Sequence, residues 1–397
     1  MNKKVAFVYD WFDTSVGGAE RVIQELHELY PDAPWYTSHV DHKAVSWAKE
    51  WDIRPSFLQH LPLWFRRNRI LSLLLLPFAF ESLDLSKYDK VVSVTSAFAK
   101  GVVTNAKTRH ICYLLTPPRW LWKDEIRNSK FEILRKGEDL IRKILKRWDY
   151  VAAQRVDEYV SISQEIARRC AEYYGRESEV VYPPFDYEKW NKRNSKFETL
   201  NSKSLDSALS TRHTALIHFP YYLVVSRLEP YKKVDVAIEA FAIFKSQFSN
   251  PNDKKEKLII VGSGSQKAKL KALSSKLKVN EQILWVDGLS DEELARLYGH
   301  CKAFIMPQEE DFGYVACEAM ACGAPIVTYA HGGQTEILSD YPHKVLCDEQ
   351  NAQCFAQALE KLGSIQYNAQ TYENSYIRRG SRDTFVAAFS QKITQTV

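Results

Sequence analysis

Short apolar runs alternate with amphipathic helical patterns along most of the chain, and this alternation restricts the possible folds more than any other feature. In the first half, we predict helices at residues 19–29 and 141–155, and strands at residues 4–9, 90–93, 110–113, 158–161 and 179–181. Strands that alternate with helices pair in parallel, because each helix carries the chain back along the sheet. The first half is therefore predicted to be an α/β domain with helices on both faces of one sheet.

The same alternation starts again after a polar stretch. Residues 191–218 are rich in Ser, Asn, Lys and Thr, and we interpret them as a linker or surface insertion. Beyond them, helices are predicted at 234–248, 265–277, 291–299 and 314–321, and strands at 221–225, 258–261, 283–286, 303–306, 326–328 and 345–346. The sequence thus predicts two doubly wound, Rossmann-like domains, at 1–190 and 219–375, with a ligand site in the crevice between them. Residues 376–397 are predicted to form a C-terminal helix that returns to the first domain.

The composition is that of an ordinary globular protein, with 45% hydrophobic and 26% charged residues and a net charge of +5. This mild excess does not indicate a nucleic-acid partner, but it suits an anionic small molecule or an acidic membrane surface. The seven cysteines form no CxxC pair beside histidines, so no zinc or other metal site is predicted. The longest apolar stretch, residues 70–80, is shorter than the roughly 20 residues that span a bilayer. We expect a cytoplasmic protein, placed peripherally at the inner face of a membrane.

The strongest chemical pattern is the run Glu310-Asp-Phe-Gly-Tyr-Val-Ala-Cys-Glu318, which follows a predicted strand and enters a helix near Gly313. Free N–H groups at a helix start favour a phosphate, and glycine lets an anion approach the backbone. Glu310 in the loop and Glu318 in the helix can bind hydroxyl groups while the backbone holds the anion. An isolated pair of glutamates is also compatible with a solvated acidic loop.

A second pattern, Ser226-Arg-Leu-Glu-Pro-Tyr-Lys-Lys233, follows the predicted strand at 221–225. It places Arg227 and Lys232 in a turn at the carboxyl end of that strand. A guanidinium fork and a compact ammonium are suited to clamp a diphosphate. The alternative interpretation is a pair of exposed surface cations.

Together these motifs resemble the retaining glycosyltransferases of family 4, which have the GT-B architecture. The resemblance covers nearly all of residues 221–340, and its order and spacing are specific. The matching motifs are Ser226-Arg-Leu with Lys232, Val261-Gly-Ser-Gly264, Gly288-Leu-Ser-Asp291, Glu310 to Glu318, Ala321-Cys-Gly-Ala-Pro325, and His331-Gly-Gly-x-x-Glu336. It implies a cofactor-independent enzyme that transfers a sugar from a nucleotide-diphosphate donor, with mannose or a 6-deoxyhexose as the sugar and a glycan or lipid-linked acceptor.

The resemblance also implies roles for individual residues. Glu310 would contact the transferred sugar, Glu318 the ribose hydroxyls, and Arg227 and Lys232 the diphosphate, without a metal. The other residues expected to contact the donor are Phe312, Gly313, Gly262, Gly332 and Gly333, together with Gly17 and Gly18 in an N-terminal glycine loop.

Four residues of the first half are expected on the acceptor side of the reaction: Asp10, Trp11, Leu115 and Arg119. Relatives commonly have His where this chain has Leu115. An apolar side chain there cannot hydrogen-bond a sugar hydroxyl, which favours a 6-deoxy sugar or an apolar contact.

Two stretches of the first half indicate a membrane surface, because both combine bulky apolar residues with several cations. They are residues 61–70, with three arginines beside Trp64 and Phe65, and residues 128–148, with seven basic residues. Basic residues that cover ordinary packed helices are the alternative. For the whole chain, two other functions stay open: a nucleotide-sugar epimerase on the same architecture, and a non-catalytic sugar-nucleotide-binding protein.

Overall fold

The structure is a computed structural model, and it describes residues 4–14, 16–62, 64–65, 72–123, 132–198, 219–248, 256–363 and 380–394. The chain divides into two compact units. The first contains Met1–Pro184 together with Arg382–Val397, and the second contains Phe185–Ser381. The second unit begins 34 residues before the predicted limit at 219, whereas the other limits differ from the predicted ones by six residues.

The first unit is built on a parallel sheet of seven strands in the order β3-β2-β1-β4-β5-β6-β7. The strands are β1 Val5–Tyr9, β2 Trp35–Thr37, β3 Ile53–Pro55, β4 Lys90–Thr95, β5 Arg109–Leu114, β6 Glu158–Ser161 and β7 Glu179–Val180. The helices are Gly18–Leu29, Leu76–Glu81, Arg119–Trp122, Glu132–Ala153, Gln164–Tyr174 and Arg382–Thr394. Strands β2 and β3, which have three residues each, are absent from the sequence prediction.

The second unit is built on a parallel sheet of six strands in the order β10-β9-β8-β11-β12-β13. The strands are β8 Tyr221–Val225, β9 Lys257–Val261, β10 Ile283–Val286, β11 Ala303–Met306, β12 Ile326–Tyr329 and β13 Lys344–Cys347. The helices are Tyr187–Glu198, Val234–Gln247, Lys267–Lys276, Asp291–His300, Tyr314–Ala321, Gln334–Ile337 and Ala352–Gly363. All six strands lie within a residue or so of their predicted positions.

One helix enters the stretch that the sequence marks as a polar linker. Tyr187–Glu198 extends eight residues into the predicted linker, and residues 199–218 lie outside the described part of the chain. A single buried anchor, Trp190, packs on Tyr298 with ring centroids 6.2 Å apart. Arg193 adds ion pairs to Asp291 and Glu292 at 2.9 and 3.1 Å. One apolar anchor and these charges hold the helix, which is why it shows little apolar periodicity.

The helix Arg382–Thr394 completes the first unit from the far end of the chain. Lys392 binds Glu158 and Glu179 through its ammonium, and its carbonyl accepts a bond of 2.9 Å from the buried Lys90. Arg382 pairs with Glu25 and Glu28 on the helix Gly18–Leu29. Charged contacts therefore fix both ends of this helix.

No helix among the described residues has the length and apolar character to cross a membrane. None of the seven cysteines, which all lie among the described residues, forms a disulfide, and six of them are buried.

A fully buried ion pair holds the long helix Glu132–Ala153 to the rest of the first unit. Lys100, in the turn after β4, contacts Asp149 and also donates to the carbonyl of Ala97 at 2.8 Å. The second oxygen of Asp149 accepts from the Trp122 indole and the Tyr174 hydroxyl, each at 2.8 Å. The carboxylate is thus satisfied by three partners from three different elements.

Removing the cation from this pair should destabilise the first unit. Lys100→Met keeps the length of the side chain but leaves the Asp149 carboxylate buried without its counter-ion. We expect a loss of about 3–5 kcal/mol, which is a melting temperature lower by roughly 6–20 °C for a unit of this size. Calorimetry against the same change at the exposed Lys107 measures it. Equal, small shifts in both variants would contradict this account of the pair.

Candidate active site

The predicted donor-binding motifs of the second unit come together at one edge of its sheet. Strands β8 and β11 are direct neighbours, with Ala303 opposite Tyr222 and Phe304 opposite Leu223. The chain leaves β8 toward one side of the sheet and β11 toward the other, which makes this pair the switch point of the fold. Ligands of open α/β sheets bind outside the carboxyl ends of the strands at such a point. The loops 226–233 and 307–313 both begin there.

The central contact of this edge joins Lys232 to Glu310. The Lys232 ammonium lies 2.5 Å from Oε1 of Glu310, and their side chains are only 12% and 17% exposed. The amide of Gln308 donates to the same oxygen at 3.0 Å. The structure therefore brings together the predicted diphosphate-binding lysine and the predicted sugar-contacting glutamate, which lie 78 positions apart in sequence.

Arg227 stands at the outer side of the same loop. Its guanidinium donates to the Tyr231 hydroxyl at 2.7 Å and is exposed to solvent. The Tyr231 ring lies 6.0 Å from the Arg227 guanidinium carbon and 5.3 Å from the Lys232 ammonium. Tyr231 therefore lies between the two cations, and its ring face stabilises both. The sequence prediction contained this tyrosine within the motif but gave it no role.

Gln334 fixes the backbone that carries Glu310. This side chain is fully buried, and its carbonyl accepts from the Glu310 N–H at 3.0 Å. Its amide nitrogen lies 3.2, 3.3 and 2.6 Å from the carbonyls of Gln308, Tyr329 and His331, and its two N–H groups donate among them. One amide group thus joins the acidic loop to the loop after β12. The sequence prediction missed Gln334, which occupies a variable position of the His331-Gly-Gly-x-x-Glu336 motif.

Two of the predicted donor-site glycines have a steric reason to be glycine. Gly262 has φ 134°, and a Cβ there would lie 2.0 Å from the Ser226 carbonyl. Gly332 has φ 108°, and a Cβ there would lie 2.7 Å from the Glu310 carbonyl. Both backbones are therefore in a conformation and at a distance that other residues cannot adopt. The next residue, Gly333, donates its N–H to the same Glu310 carbonyl at 2.8 Å.

The helix that follows the acidic loop begins where the sequence predicts. Gly313 is its N-terminal cap, and the helix runs over Tyr314–Ala321. Phe312 is buried, with its ring 4.9 Å from that of Tyr314 in an edge contact.

Glu318 is placed inside this helix and is only 3% exposed. The Tyr298 hydroxyl donates to its Oε2 at 3.4 Å. Burial, and then the charge of Glu318, raise the pKa of Tyr298 well above its usual value. The contact between Tyr298 and Glu318 thus lies inside the unit, and the predicted role of Glu318 toward a ribose stays a prediction.

In the first unit, the structure gives Asp10 a different role from the predicted one. Its carboxylate is buried and accepts from the Thr95 hydroxyl at 2.8 Å. Four successive backbone N–H groups, of residues 96–99, also donate to it at 2.7–3.0 Å. These bonds give Asp10 an internal role in the loop after β4, and its predicted role toward an acceptor stays a prediction. Asp10 holds the ends of β1 and β4 together at the switch point of the first sheet.

The glycine loop of the first unit also has an internal partner. Gly17 caps the helix that starts at Gly18, and its N–H donates to Glu20 at 3.0 Å. The other oxygen of Glu20 accepts from Tyr9 at 2.8 Å and Thr14 at 3.0 Å. The Glu20 carboxylate thus binds the N–H of Gly17, one of the two glycines that are predicted to contact the donor. Burial, followed by the charges of Glu20 and Asp10, raises the pKa of Tyr9 well above its usual value.

The other acceptor-side residues are placed as follows. Trp11 is half-buried and packs against the apolar core of the first unit. Leu115 is buried just after β5, where its N–H donates to the Thr95 carbonyl at 2.9 Å. Arg119 is half-buried at the start of the helix Arg119–Trp122. Their roles toward an acceptor stay predictions.

Comparison with known proteins bears most directly on the second unit. Residues 217–379 match the family described as "Glycosyl transferases group 1". The second unit resembles a group 1 glycosyl transferase. The resemblance to glycosyltransferases that the motifs predict is thereby confirmed, whereas family 4 and retention of configuration stay predictions.

Two curated relatives extend this resemblance to different parts of the chain. The D-inositol 3-phosphate glycosyltransferase of Acidothermus cellulolyticus is 31% identical over 231 residues, which are 56% of this chain and 48% of that protein. This match therefore spans about half the length of that relative. The alpha-1,3/1,6-mannosyltransferase of Dictyostelium discoideum is 21% identical over 88% of this chain and 87% of its own length.

Solved glycosyl transferase structures share the fold of the whole chain. The Anabaena protein HepE, crystallised with UDP and glucose, has a TM-score of 0.67 and 17% identity, and the match covers all of both chains. WaaG, a glycosyltransferase involved in lipopolysaccharide biosynthesis, has a TM-score of 0.64, 15% identity and a match over 99% of this chain and 100% of WaaG. The predicted GT-B fold with two Rossmann-like domains is thus confirmed.

The structure describes only part of the two basic stretches of this chain, residues 61–70 and 128–148. Trp64 is 67% exposed, but the three arginines of the first stretch lie outside the described residues. In the second stretch, Arg142 donates to the Leu121 carbonyl at 2.8 Å, and Lys146 lies 4.3 Å from the Trp122 ring. These two cations therefore cover packed core elements, as the alternative interpretation holds.

The role of Gln334 can be tested by an apolar substitution of similar volume. Gln334→Leu removes the partner of the Glu310 N–H and of the carbonyl of the buried Gln308, at about 1–3 kcal/mol for each group. We expect the second unit to lose at least about 2 kcal/mol of stability. Calorimetry compares it with Gln247→Leu, the same change at an exposed helix position. A Gln334→Leu protein as stable as that control would show that the hydrogen bonds of Gln334 do not stabilise the second unit.

Proposed function

We propose that the protein is a glycosyltransferase that moves a sugar from a nucleotide-diphosphate donor to a glycan or lipid-linked acceptor. The observation that carries the proposal is the contact between Lys232 and Glu310 at the switch point of the second sheet. It places a cation suited to a phosphate beside a carboxylate suited to sugar hydroxyls. The family match over residues 217–379 supports the proposal, because it includes both residues and their motifs.

The cations have a defined task in this proposal. As the bond between the sugar and the diphosphate breaks, negative charge grows on the leaving phosphate oxygen. Lys232 and Arg227 would hold the diphosphate, and N–H groups at the start of Tyr314–Ala321 would add donors. The Lys232 ammonium has three N–H groups, so it can keep Glu310 in place while it binds a phosphate oxygen. We propose transfer with retention at the anomeric carbon, without a metal.

Glu310 and Glu318 would serve different parts of the donor. Glu310, oriented by Lys232 and Gln308, would accept hydrogen bonds from the transferred sugar. Glu318, in the second turn of the helix Tyr314–Ala321, would bind ribose hydroxyls. The buried Leu115 supports a donor sugar that has an apolar group where it would contact this side chain, as a 6-deoxy sugar does.

For the sugar, we propose mannose or a 6-deoxyhexose. The relative that matches 88% of this chain is a mannosyltransferase by name, and Leu115 supports the 6-deoxy alternative. We also propose that the first unit binds an acidic membrane surface. Binding there would bring the protein close to an acceptor that is linked to lipid or bound near it.

A donor panel tests this function directly. Thermal stabilisation is measured with GDP-, UDP- and dTDP-sugars, including GDP-mannose and its 6-deoxy analogue GDP-rhamnose. A donor present at 100 times its dissociation constant stabilises the protein by about 2.7 kcal/mol. We expect one nucleotide class to raise the melting temperature and to support transfer to an acceptor. Conversion of the donor without any acceptor would instead indicate an epimerase, and no response to any nucleotide sugar would contradict the proposal.

The cation clamp makes the sharpest kinetic prediction. Interactions that strengthen in the transition state lower turnover, and not only affinity, when they are lost. Lys232→Ala and Arg227→Ala should each lower single-turnover transfer at saturating donor on the order of 100-fold. Lys232→Arg should restore only part of it, because a planar fork does not replace a compact ammonium beside Glu310.

The matched control is Lys276→Ala, an exposed lysine on another helix of the same unit. Its turnover should equal that of the unchanged protein, and melting curves of all variants exclude misfolding. Near-normal turnover of a folded Lys232→Ala protein would remove Lys232 from the mechanism.

A further inference from the structure

The residue after Lys232 has a backbone conformation that lysine rarely adopts. Lys233 has φ 52° and ψ 34°, which lie in the left-handed region. This region is unfavourable for a residue with a Cβ, because the Cβ comes too close to the following carbonyl oxygen, whereas glycine adopts it freely. Among the residues that the structure describes, Lys278 is the one other non-glycine residue with a positive φ. The site loop thus keeps a lysine where glycine would fit better.

Lys233 is also an unfavourable cap for the helix that follows it. It is the N-cap of the helix Val234–Gln247, and its side chain makes no capping hydrogen bond. Ser, Thr, Asp and Asn are favoured at an N-cap because their oxygen accepts from a free N–H of the first turn, whereas an ammonium has only donors. The lysine therefore breaks two local rules at one position. Natural proteins break such rules mainly at functional sites.

The acid in the same loop does not neutralise Lys233. The loop 226–233 contains a single acid, Glu229. Its two carboxylate oxygens accept from the N–H and the hydroxyl of Ser265 at 3.1 and 2.7 Å, and so hold the loop after β9. Within the described part of the chain, the Lys233 ammonium forms no ion pair and no hydrogen bond. Its side chain is partly exposed, so a ligand can reach it.

The site loop therefore has more positive charge than the protein itself neutralises. Lys232 pairs with Glu310, whereas Arg227 contacts the Tyr231 hydroxyl and, among the described residues, no acid. Arg227 and Lys233 are left as two cations without a counter-charge. The diphosphate of a nucleotide sugar has one negative charge on each phosphate, so it matches these two cations in charge.

We propose that Lys233 is a third cation of the donor site and binds a phosphate oxygen of the nucleotide diphosphate. An ammonium on a phosphate oxygen makes a charge-assisted hydrogen bond, and this contact offsets the unfavourable backbone. Lys233 contributes affinity for the nucleotide, whereas Lys232 also orients Glu310 beside the reacting sugar. The inference rests on the proposed function for the identity of the ligand.

Nucleotide binding by variants of the full chain tests the proposal. Titration calorimetry measures the dissociation constants of GDP, UDP and dTDP at low and high salt. Lys233→Gly and Lys233→Asn remove the charge, and both new residues tolerate the left-handed backbone. Each should weaken binding of the preferred nucleotide about tenfold, as for the loss of one hydrogen bond to a charged group. The loss should be smaller at high salt, which screens exposed charges. Lys233→Arg keeps the charge and should retain most of the affinity.

The matched control is Lys278→Gly. It makes the same exchange at the same kind of backbone, since Lys278 has φ 59° and lies exposed in the turn after the helix Lys267–Lys276. Both glycine variants should melt within about 2–4 °C of the unchanged protein. Only Lys233→Gly should lose nucleotide affinity. Equal nucleotide affinity of the two glycine variants, or a loss at Lys233 that salt does not change, would overturn the proposal.

These measurements also separate the inference from the proposed function. A protein whose nucleotide binding depends on Lys233 but which transfers no sugar would support the third cation and contradict the transferase. A protein that transfers sugar, and whose Lys233→Gly variant binds the nucleotide normally, would contradict the third cation alone. A chain that binds none of the three nucleotides would contradict both.

Discussion

The parallel pairing of β8 with β11 is the constraint on which the candidate active site depends. The chain turns in opposite directions from these two strands, so their carboxyl ends form the switch point where ligands of open α/β sheets bind. Lys232 comes from one loop and Glu310 from the other, so their contact exists only because the strands are neighbours. The remaining features of the edge serve this contact. Gln334 accepts a hydrogen bond from the backbone of the acidic loop, and the Tyr231 ring lies within 6.0 Å of both cations. Gly262 lets the loop after β9 pack against the loop after β8.

The two units use the same topological position in opposite ways. Each sheet has a carboxylate near its switch point, Asp10 in the first and Glu310 in the second. The Asp10 carboxylate accepts hydrogen bonds from the backbone N–H groups of residues 96–99 and so fixes that loop. Glu310 meets side chains, Lys232 and Gln308, which can exchange partners when a ligand arrives. The partners of Asp10 are thus mostly fixed backbone groups, whereas the partners of Glu310 named above are side chains.

The fold was largely predictable from the sequence, and the site only in part. Strands such as β8 and β11 are continuous apolar runs, because both faces of a parallel sheet are buried, and such runs are visible in sequence. Strands β2 and β3 have three residues each and leave no such trace. The motif spacing indicated Glu310 and Lys232. It could not indicate that the Asp10 carboxylate accepts hydrogen bonds from the loop after β4, or that the Gln334 side chain contacts four backbone groups. Both facts depend on how the folded chain brings separate loops together.

The helix Arg382–Thr394 has a consequence for the order in which the protein can be made. A ribosome releases the chain from its amino end, so the sheet of the first unit emerges before the whole of the second unit. Lys90 is buried in that sheet, and its ammonium donates to the carbonyl of Lys392, a residue synthesised hundreds of positions later. Until then, Glu158 also lacks the Lys392 ammonium. The second unit, which is continuous in the chain, can reach its final structure first, whereas the nascent first unit must wait for its closing helix and for the contacts that Lys392 makes.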